Sequence, residues 1–260
     1  MTVTARPFGE LLRQWRERRR LSQLELSLTA AVSTRHLSFV ETGRSAPSRE
    51  LVLQLAEHLD VPLRERNRLL LAAGYAPVFG ETPLDAPRMS AVRAAVGQVL
   101  AGHEPYPAAV VDRGWNLVDA NRSLALLTDL VDPRLLAPPA NVLRASLHPD
   151  GLAPHIANLA EWRAHLLARL RRQVDLTADP GLEALLAELR GYPGGPELPA
   201  LPAAGEIVIP LRLRAGGGEL AFLSTIAAFG TPLDVTVAEL SIESFYPADP
   251  ATAAALRARG

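Results

Sequence analysis

Three serines constrain the first third of this chain. Ser22, Ser33 and Ser48 each stand directly before a run of apolar residues at helical spacing. A serine hydroxyl placed there accepts amide N–H groups that a helix's first turn leaves unpaired, so each serine marks a helix start. Glu25, three residues after Ser22, completes a capping box. Upstream, Phe8, Leu11, Leu12 and Trp15 recur at three- and four-residue intervals, the stripe of an amphipathic helix. Downstream, Leu51, Leu55 and Leu59 repeat every four residues until Pro62, and "LRERNRLLLAAGYAP" supplies a fifth helix closed by Gly74 and Pro77. Five short helices imply a compact all-α domain. The second and third meet near Ala30–Val32, which is helix-turn-helix spacing. The third carries Leu37 and Val40 inward and ends at Gly43. Its exposed first turn offers Ser33 at the cap, Thr34, Arg35, His36 and Ser38, side chains of the kind that read base edges in the DNA major groove.

The charge distribution agrees. The chain of 260 residues has a net charge of -1. Residues 1–80 hold 12 Arg and 8 Asp plus Glu, whereas residues 81–260 hold 15 Arg and 20 Asp plus Glu. A basic N-terminal module on an acidic body points to one anionic partner at one end. The chain has no cysteine, which excludes disulfides and thiolate metal sites. No apolar run is long enough to span a membrane, and "MTVTARPFGELLRQ" lacks a secretory signal. A cytoplasmic protein without membrane attachment is expected.

The stretch "LSQLELSLTAAVSTRHLSFVETGRSAPS" resembles the phage-repressor-like (Xre) helix-turn-helix family. The match lies in "SQ" opening helix two, the small Ser27, "VS" before helix three, and "E-x-G" followed shortly by Pro. The family commonly has Gly where this chain has Ala31, so Ala31 has to accept a tight, left-handed backbone. The resemblance implies double-stranded DNA as partner. Gln23 would contact phosphate, Thr34, Arg35 and His36 would face base edges, and Ser38 would lie near the groove with Phe39. Arg44 and Ser45 would hold phosphate just past the helix. Glu41 would pair with Arg16 as a structural ion pair. Arg18, Arg19 and Arg20 would add unspecific attraction.

Residues 80–104 read as a linker, "GETPLDAPR", and a connecting helix, "MSAVRAAVGQVLAG". Beyond residue 105 the periodicity changes. Ala108–Val111 and Trp115–Val118 read as a β-hairpin. Helical segments follow around Arg122–Leu130, Val142–Leu147, Ile156–Val174 and Pro180–Arg190. A loop rich in Pro and Gly separates them from three strand-like runs, "EIVIPLRLR", "ELAFLSTIAAF" and "VTVAELSIESFY". Two strands, helices, then a three-stranded meander describe an α+β PAS-like sensor domain over residues 105–247, with 248–260 as a tail. The expected architecture is thus an all-α five-helix helix-turn-helix domain, residues 1–79, followed by that sensor.

"PYPAAVVDRGWNLVDANRSL", "NVLRASLHPDGLAPHIANLAEWRAHLLARLRRQ" and "GTPLDVTVAELSIESFYPAD" resemble the ligand-binding domain of MmyB-like transcription regulators. The resemblance implies a sensor pocket for a small apolar, fatty-acid-like ligand and no other cofactor. Such a pocket needs apolar walls and a few donors. Candidate wall residues are Trp115, Leu126, Leu143, Leu159, Trp162, Leu166, Phe222 and Phe229. Candidate donors are Asn121, Asn141, Arg144, His148 and Asn158, with Arg144 suited to a carboxylate. Dimeric regulators match palindromic operators, so a homodimer is expected. Two other readings stand beside this one: a metal-dependent hydrolase using His148, His155 and His165, and an adaptor that no longer touches DNA. The spacing of those histidines does not make an H-E-x-x-H site, and a nucleophile elbow and a phosphate-binding loop are both missing. A non-enzymatic protein without a metal is expected.

Overall fold

The computed structural model describes residues 7–195, 208–215 and 218–258. The chain divides into two units, one of residues 1–82 with 232–238 and one of 83–231 with 239–260.

The first unit contains the five expected helices: α1 (Phe8–Arg18), α2 (Gln23–Thr29), α3 (Thr34–Glu41), α4 (Arg49–His58) and α5 (Leu63–Ala72). All three serine caps form. Ser22 Oγ accepts from Glu25 N at 3.1 Å while the Glu25 carboxylate takes the Ser22 amide at 2.7 Å. Ser33 caps α3 through His36 N, and Ser48 caps α4 through Leu51 N. Ala31 adopts φ +50°, the left-handed conformation foreseen for it. The helices close over a core that includes Leu12, Trp15, Leu26, Leu37, Val40 and Leu55.

The second unit holds α6 (Ser90–Gly102), β1 (Ala108–Val111), β2 (Leu117–Ala120), α7 (Ala125–Thr128), α8 (Val142–Leu147), α9 (Leu159–Thr177), α10 (Pro180–Arg190), β3 (Leu211–Ala215), β4 (Gly218–Ala228), β5 (Ser241–Pro247) and α12 (Pro250–Arg257). The strands form one antiparallel sheet in the order β2-β1-β5-β4-β3, the expected α+β sensor architecture. Alternation along the strands sends Ala109, Val111, Phe222 and Phe245 to one face with α9 and α10. It sends Ala108, Val110 and Ile242 to the other, against Val96 and Leu100 of α6. α6, read from sequence as a connecting helix, therefore packs on this sheet. The expected tail contains α12, started by Asp249 and Pro250 and anchored by buried Leu256. The Pro- and Gly-rich loop from residue 196 onward, the start of "EIVIPLRLR", and Gly216 and Gly217 lie outside the described residues.

One strand expectation is corrected. "VTVA", Val235–Ala238, is the short helix α11, and the strand begins only at Ser241. Its β-branched residues suggested a strand, but local capping and burial decide otherwise. Asp234 accepts from Thr236 N at 2.9 Å, starting a helical turn, and Val235 and Val237 are buried. The segment belongs to the first unit. Thr82 donates from its amide (3.3 Å) and hydroxyl (2.6 Å) to the Asp234 carboxylate, and Val235 N donates to Gly80 O at 2.7 Å. Asp234→Ala removes the acceptor for the bonds from Thr82 N, Thr82 Oγ1 and Thr236 N, each with a net value of about 1 kcal/mol. Amide hydrogen exchange over 232–238 is expected to accelerate at least about fivefold. Unchanged protection would show that Asp234 does not hold the segment.

Candidate functional site

In the first unit, α3 is held from behind. Glu41, at its last turn, accepts from Arg16 Nε at 2.7 Å, Arg16 Nη2 at 3.0 Å and Gln23 Nε2 at 2.7 Å. Arg16 also donates to Leu21 O at 2.8 Å. The hydrogen bonds to Glu41 push the Arg16 pKa above its ordinary value. The expected Arg16–Glu41 ion pair is therefore present, and it locks α1 to α3. Gln23, expected on phosphate, spends an amide hydrogen on Glu41. Thr34 shares a hydroxyl hydrogen bond with Ser27 at 2.8 Å.

What remains on the outer face is cationic. Arg35 and Arg44 are exposed, and their guanidinium carbons lie 5.3 and 5.9 Å from the ring centroid of Phe39. Among the described residues neither side chain has a hydrogen-bond or ion-pair partner. Other arginines of this unit are engaged: Arg13 pairs with Glu17, Arg68 with Glu65, and Arg19 donates to Leu59 O and Asp60 O. In the run Arg18–Arg20, Arg18 and Arg19 also lie over Trp15, which restrains their side chains without cancelling their charge. Arg35 in the first turn of α3 and Arg49 in the first turn of α4 sit where the helix dipole disfavours a cation. An anionic partner relieves that penalty. Arg49 was not among the expected contacts. Its place beside the Ser48 cap was the available signal. His36, Ser38 and Ser45 are half-buried along the same segment, and Ser33 is exposed at the cap.

In the second unit, α7, α8, α9 and the sheet line a partly open cavity of about 80 Å³. Its wall includes Asn141, Leu143, Trp162 and Leu166, four of the expected pocket residues. The others lie elsewhere. Asn121 is a structural staple, accepting from Ala108 N at 2.9 Å and donating to Tyr106 O at 2.7 Å. Arg144 forms a two-point ion pair with Glu188, both bonds 2.7 Å. That pair holds the Glu188 carboxyl below its usual range, while burial followed by Glu188 pushes Tyr192 up to about 12. His148 Nδ1 accepts from Asp150 N at 3.0 Å. Asn158 ties the start of α9 to β3, donating to Pro210 O and accepting from Arg212 N. Phe222 is fully buried against Phe245, and Phe229 packs in the cluster on the opposite face. Trp115, at φ +67°, donates from its indole to Gln173 Oε1 at 2.7 Å. Leu126 and Leu159 pack at the edge of the core.

Sequence reading missed the charged group on this wall. Glu243 of β5 lines the cavity, 7% exposed, and accepts from Arg169 Nη1 at 3.0 Å. Arg169 lies with its guanidinium carbon 4.2 Å from the Trp115 ring centroid. Burial pushes the Glu243 carboxyl up, and Arg169 only partly offsets this. The period-two pattern of "SIESFYP" places Glu243 on the face of Phe245, so a charge at an inward strand position was the signal. Among the described residues, no three His, Asp or Glu side chains are grouped to hold a metal. His165 stacks on Trp162, with centroids 5.5 Å apart.

The model of the MmyB-like transcription regulator ligand binding domain matches residues 92–258. The chain belongs to the MmyB-like transcription regulators. A helix-turn-helix domain model matches residues 7–69, covering α1 to α4 and most of α5. A DNA-binding domain joined to a ligand-binding domain makes this MmyB-like protein a ligand-responsive transcription regulator. No curated protein matches it. A solved structure described as "Structure of an RNA-binding Light-Oxygen-Voltage Receptor" is 14% identical, with 98% of this chain and 62% of that chain covered and a TM-score of 0.28. The regulator thus spans less than two thirds of that structure's length, and the likeness is too low to bear on fold or function. No described helix is long and apolar enough to cross a membrane.

Proposed function

We propose that this protein is a cytoplasmic, non-enzymatic regulator that binds double-stranded operator DNA as a homodimer and responds to a small apolar ligand whose hydrocarbon chain is fatty-acid-like. The carrying observation is the pair of exposed cations, Arg35 and Arg44, that flank Phe39 on α3 and that, among the described residues, have no hydrogen-bond or ion-pair partner. In this reading Thr34, Arg35 and His36 face base edges, and Arg44, Ser45 and Arg49 meet phosphate.

The ligand reading rests on the cavity. Its wall is almost wholly apolar. At about 80 Å³ it is smaller than the ~150 Å³ cavity that holds a benzene ring, so a chain-like ligand enters by displacing wall side chains. Such a rearrangement gives the ligand a differential affinity for two conformations, the requirement for a switch. Glu243 and Phe245 of the wall lie on β5, shortly after the 232–238 segment that belongs to the DNA-binding unit. Movement of β5 reaches that unit through the chain itself.

The test is a salt titration of the full-length protein on duplex DNA from upstream of its own gene. Wild type is expected to lose affinity linearly in log–log form. Each phosphate contact removed lowers the slope by about 0.9, and loss of a base contact costs about 1–3 kcal/mol. Arg35→Ala with Arg44→Ala is therefore expected to cut affinity at least tenfold, chiefly through the lost base contact of Arg35, and to flatten the slope by about 1 through the lost phosphate contact of Arg44. A double variant that matches wild type in both would sink the DNA-reading role of α3.

A further inference from the structure

We propose that the ligand of this cavity presents a neutral hydrogen-bond donor, an alcohol hydroxyl, to Glu243, and that a carboxylate head is disfavoured. This rests on the cavity being the effector site and names the chemistry of its head group.

Among the described residues that line the cavity, one side chain is charged, and it is a carboxylate. None of these described lining residues is Arg or His. Arg144, the residue that sequence reading set aside for a ligand carboxylate, is held by both oxygens of Glu188 and does not line the cavity. The neutral polar groups of the wall each already have a hydrogen-bond partner within the protein. Asn141 donates to Gly114 O at 2.7 Å and accepts from Arg144 N at 3.2 Å. Ser146 Oγ accepts from the Trp162 indole at 3.1 Å. Thr128 points its hydroxyl at Leu124 O.

Glu243 is different. It is buried, it faces the cavity, and among the described residues its one hydrogen-bond partner is Arg169, through Oε1. An ionised carboxylate has about four acceptor positions, so Glu243 retains capacity for a donor arriving from the cavity. Arg169 neutralises it from outside the wall. A ligand carboxylate would place a second negative charge beside Glu243 in a poorly solvated space, which disfavours both charged forms. An ammonium head would add net positive charge to a neutral pair and would itself have to be desolvated. A hydroxyl adds no charge and supplies the missing donor. A Glu243 protonated at neutral pH would itself donate, and the ligand ranking below reports that case as an overturning result.

The probes are hexan-1-ol, hexanoate and methyl pentanoate, titrated at neutral pH into the full-length protein by calorimetry, with Trp fluorescence as a second readout. The three share size and apolar body. They differ in offering a donor, a charge, or neither. The alcohol is expected to bind at least tenfold more tightly than hexanoate and severalfold more tightly than the ester. Glu243→Gln, which keeps shape but removes the charge, is expected to shrink the alcohol-over-hexanoate ratio at least threefold. Hexanoate binding as tightly as the alcohol in wild type overturns the head-group assignment and leaves the cavity as a ligand site. If none of the three binds, the effector-site reading falls, and this proposal falls with it. The wild-type ranking decides the matter even if the variant fails to fold.

Discussion

Glu41→Ala is expected to destabilise the DNA-binding unit by about 3–5 kcal/mol, the usual cost of stranding one partner of a buried ion pair. Operator binding should be lost with it. The side chain of Glu41 is 2% exposed and that of Arg16 10%, so little solvent replaces the missing carboxylate. The Arg16 guanidinium would keep its bond to Leu21 O and lose two bonds, and Gln23 would lose its partner. The backbones are also in close contact here. A Cβ on Gly9 of α1 would sit 2.3 Å from Glu41 O, so α3 has no room to settle into a new position against α1. Hydrogen exchange of residues 8–72 in rising urea measures the loss within this unit alone. A double change, Arg16→Met with Glu41→Leu, is expected to recover much of the stability, because replacing a whole buried pair by apolar groups of similar volume is often neutral. A single variant within about 1 kcal/mol of wild type would show that the pair is not structural.

Local chemistry explains why this unit was legible from sequence. Its helix starts rest on Ser22, Ser33 and Ser48, whose cap bonds span three residues, and the apolar stripes repeat within each helix. The resemblance to a known family supplied the Arg16–Glu41 pair and the strained Ala31. The cavity was less legible because its polar residues are settled by distant partners. Arg144 is claimed by Glu188, Asn158 by Pro210 and Arg212, and Trp115 by Gln173. Nothing near Arg144 in sequence distinguishes a ligand arginine from a paired one. Glu243 shows the converse. It looked like one more strand carboxylate, yet pairing of β5 with β1 and β4 turns it inward. The segment Val235–Ala238 failed for a third reason. Intrinsic β-propensity is weak, and an Asp cap with burial of two valines outweighs it.

Trp162→Ala carries the second large effect, a loss of about 3–5 kcal/mol from the ligand-binding unit. The indole is 3% exposed, lines the cavity, donates to Ser146 Oγ and stacks on His165 at an interplanar angle of 27°. Its removal enlarges an existing void, and the surrounding helices relax only in part. A small aromatic should therefore compensate. Indole at about one hundred times its dissociation constant is expected to return about 2.7 kcal/mol, read as a rise in the unfolding midpoint that wild type does not show. Rescue would place Trp162 on the cavity wall independently of the natural ligand. Destabilisation without rescue would mean that the wall collapses instead of staying open. His165 gives an internal check. Burial, then Arg169 and Arg172, hold its pKa below the ordinary imidazole value. Burial is the largest cause, and Trp162 supplies part of that burial. NMR titration of the variant at a temperature where it stays folded is expected to show His165 protonating at higher pH than in wild type. A depressed folded-state pKa costs stability as pH falls below the unfolded value, because the unfolded chain then binds the proton more readily. Relieving that depression should make the variant's residual stability less sensitive to acid between about pH 6.5 and the folded pKa of wild type. An unshifted His165 would instead assign its low pKa to the arginines and leave Trp162 a packing role only.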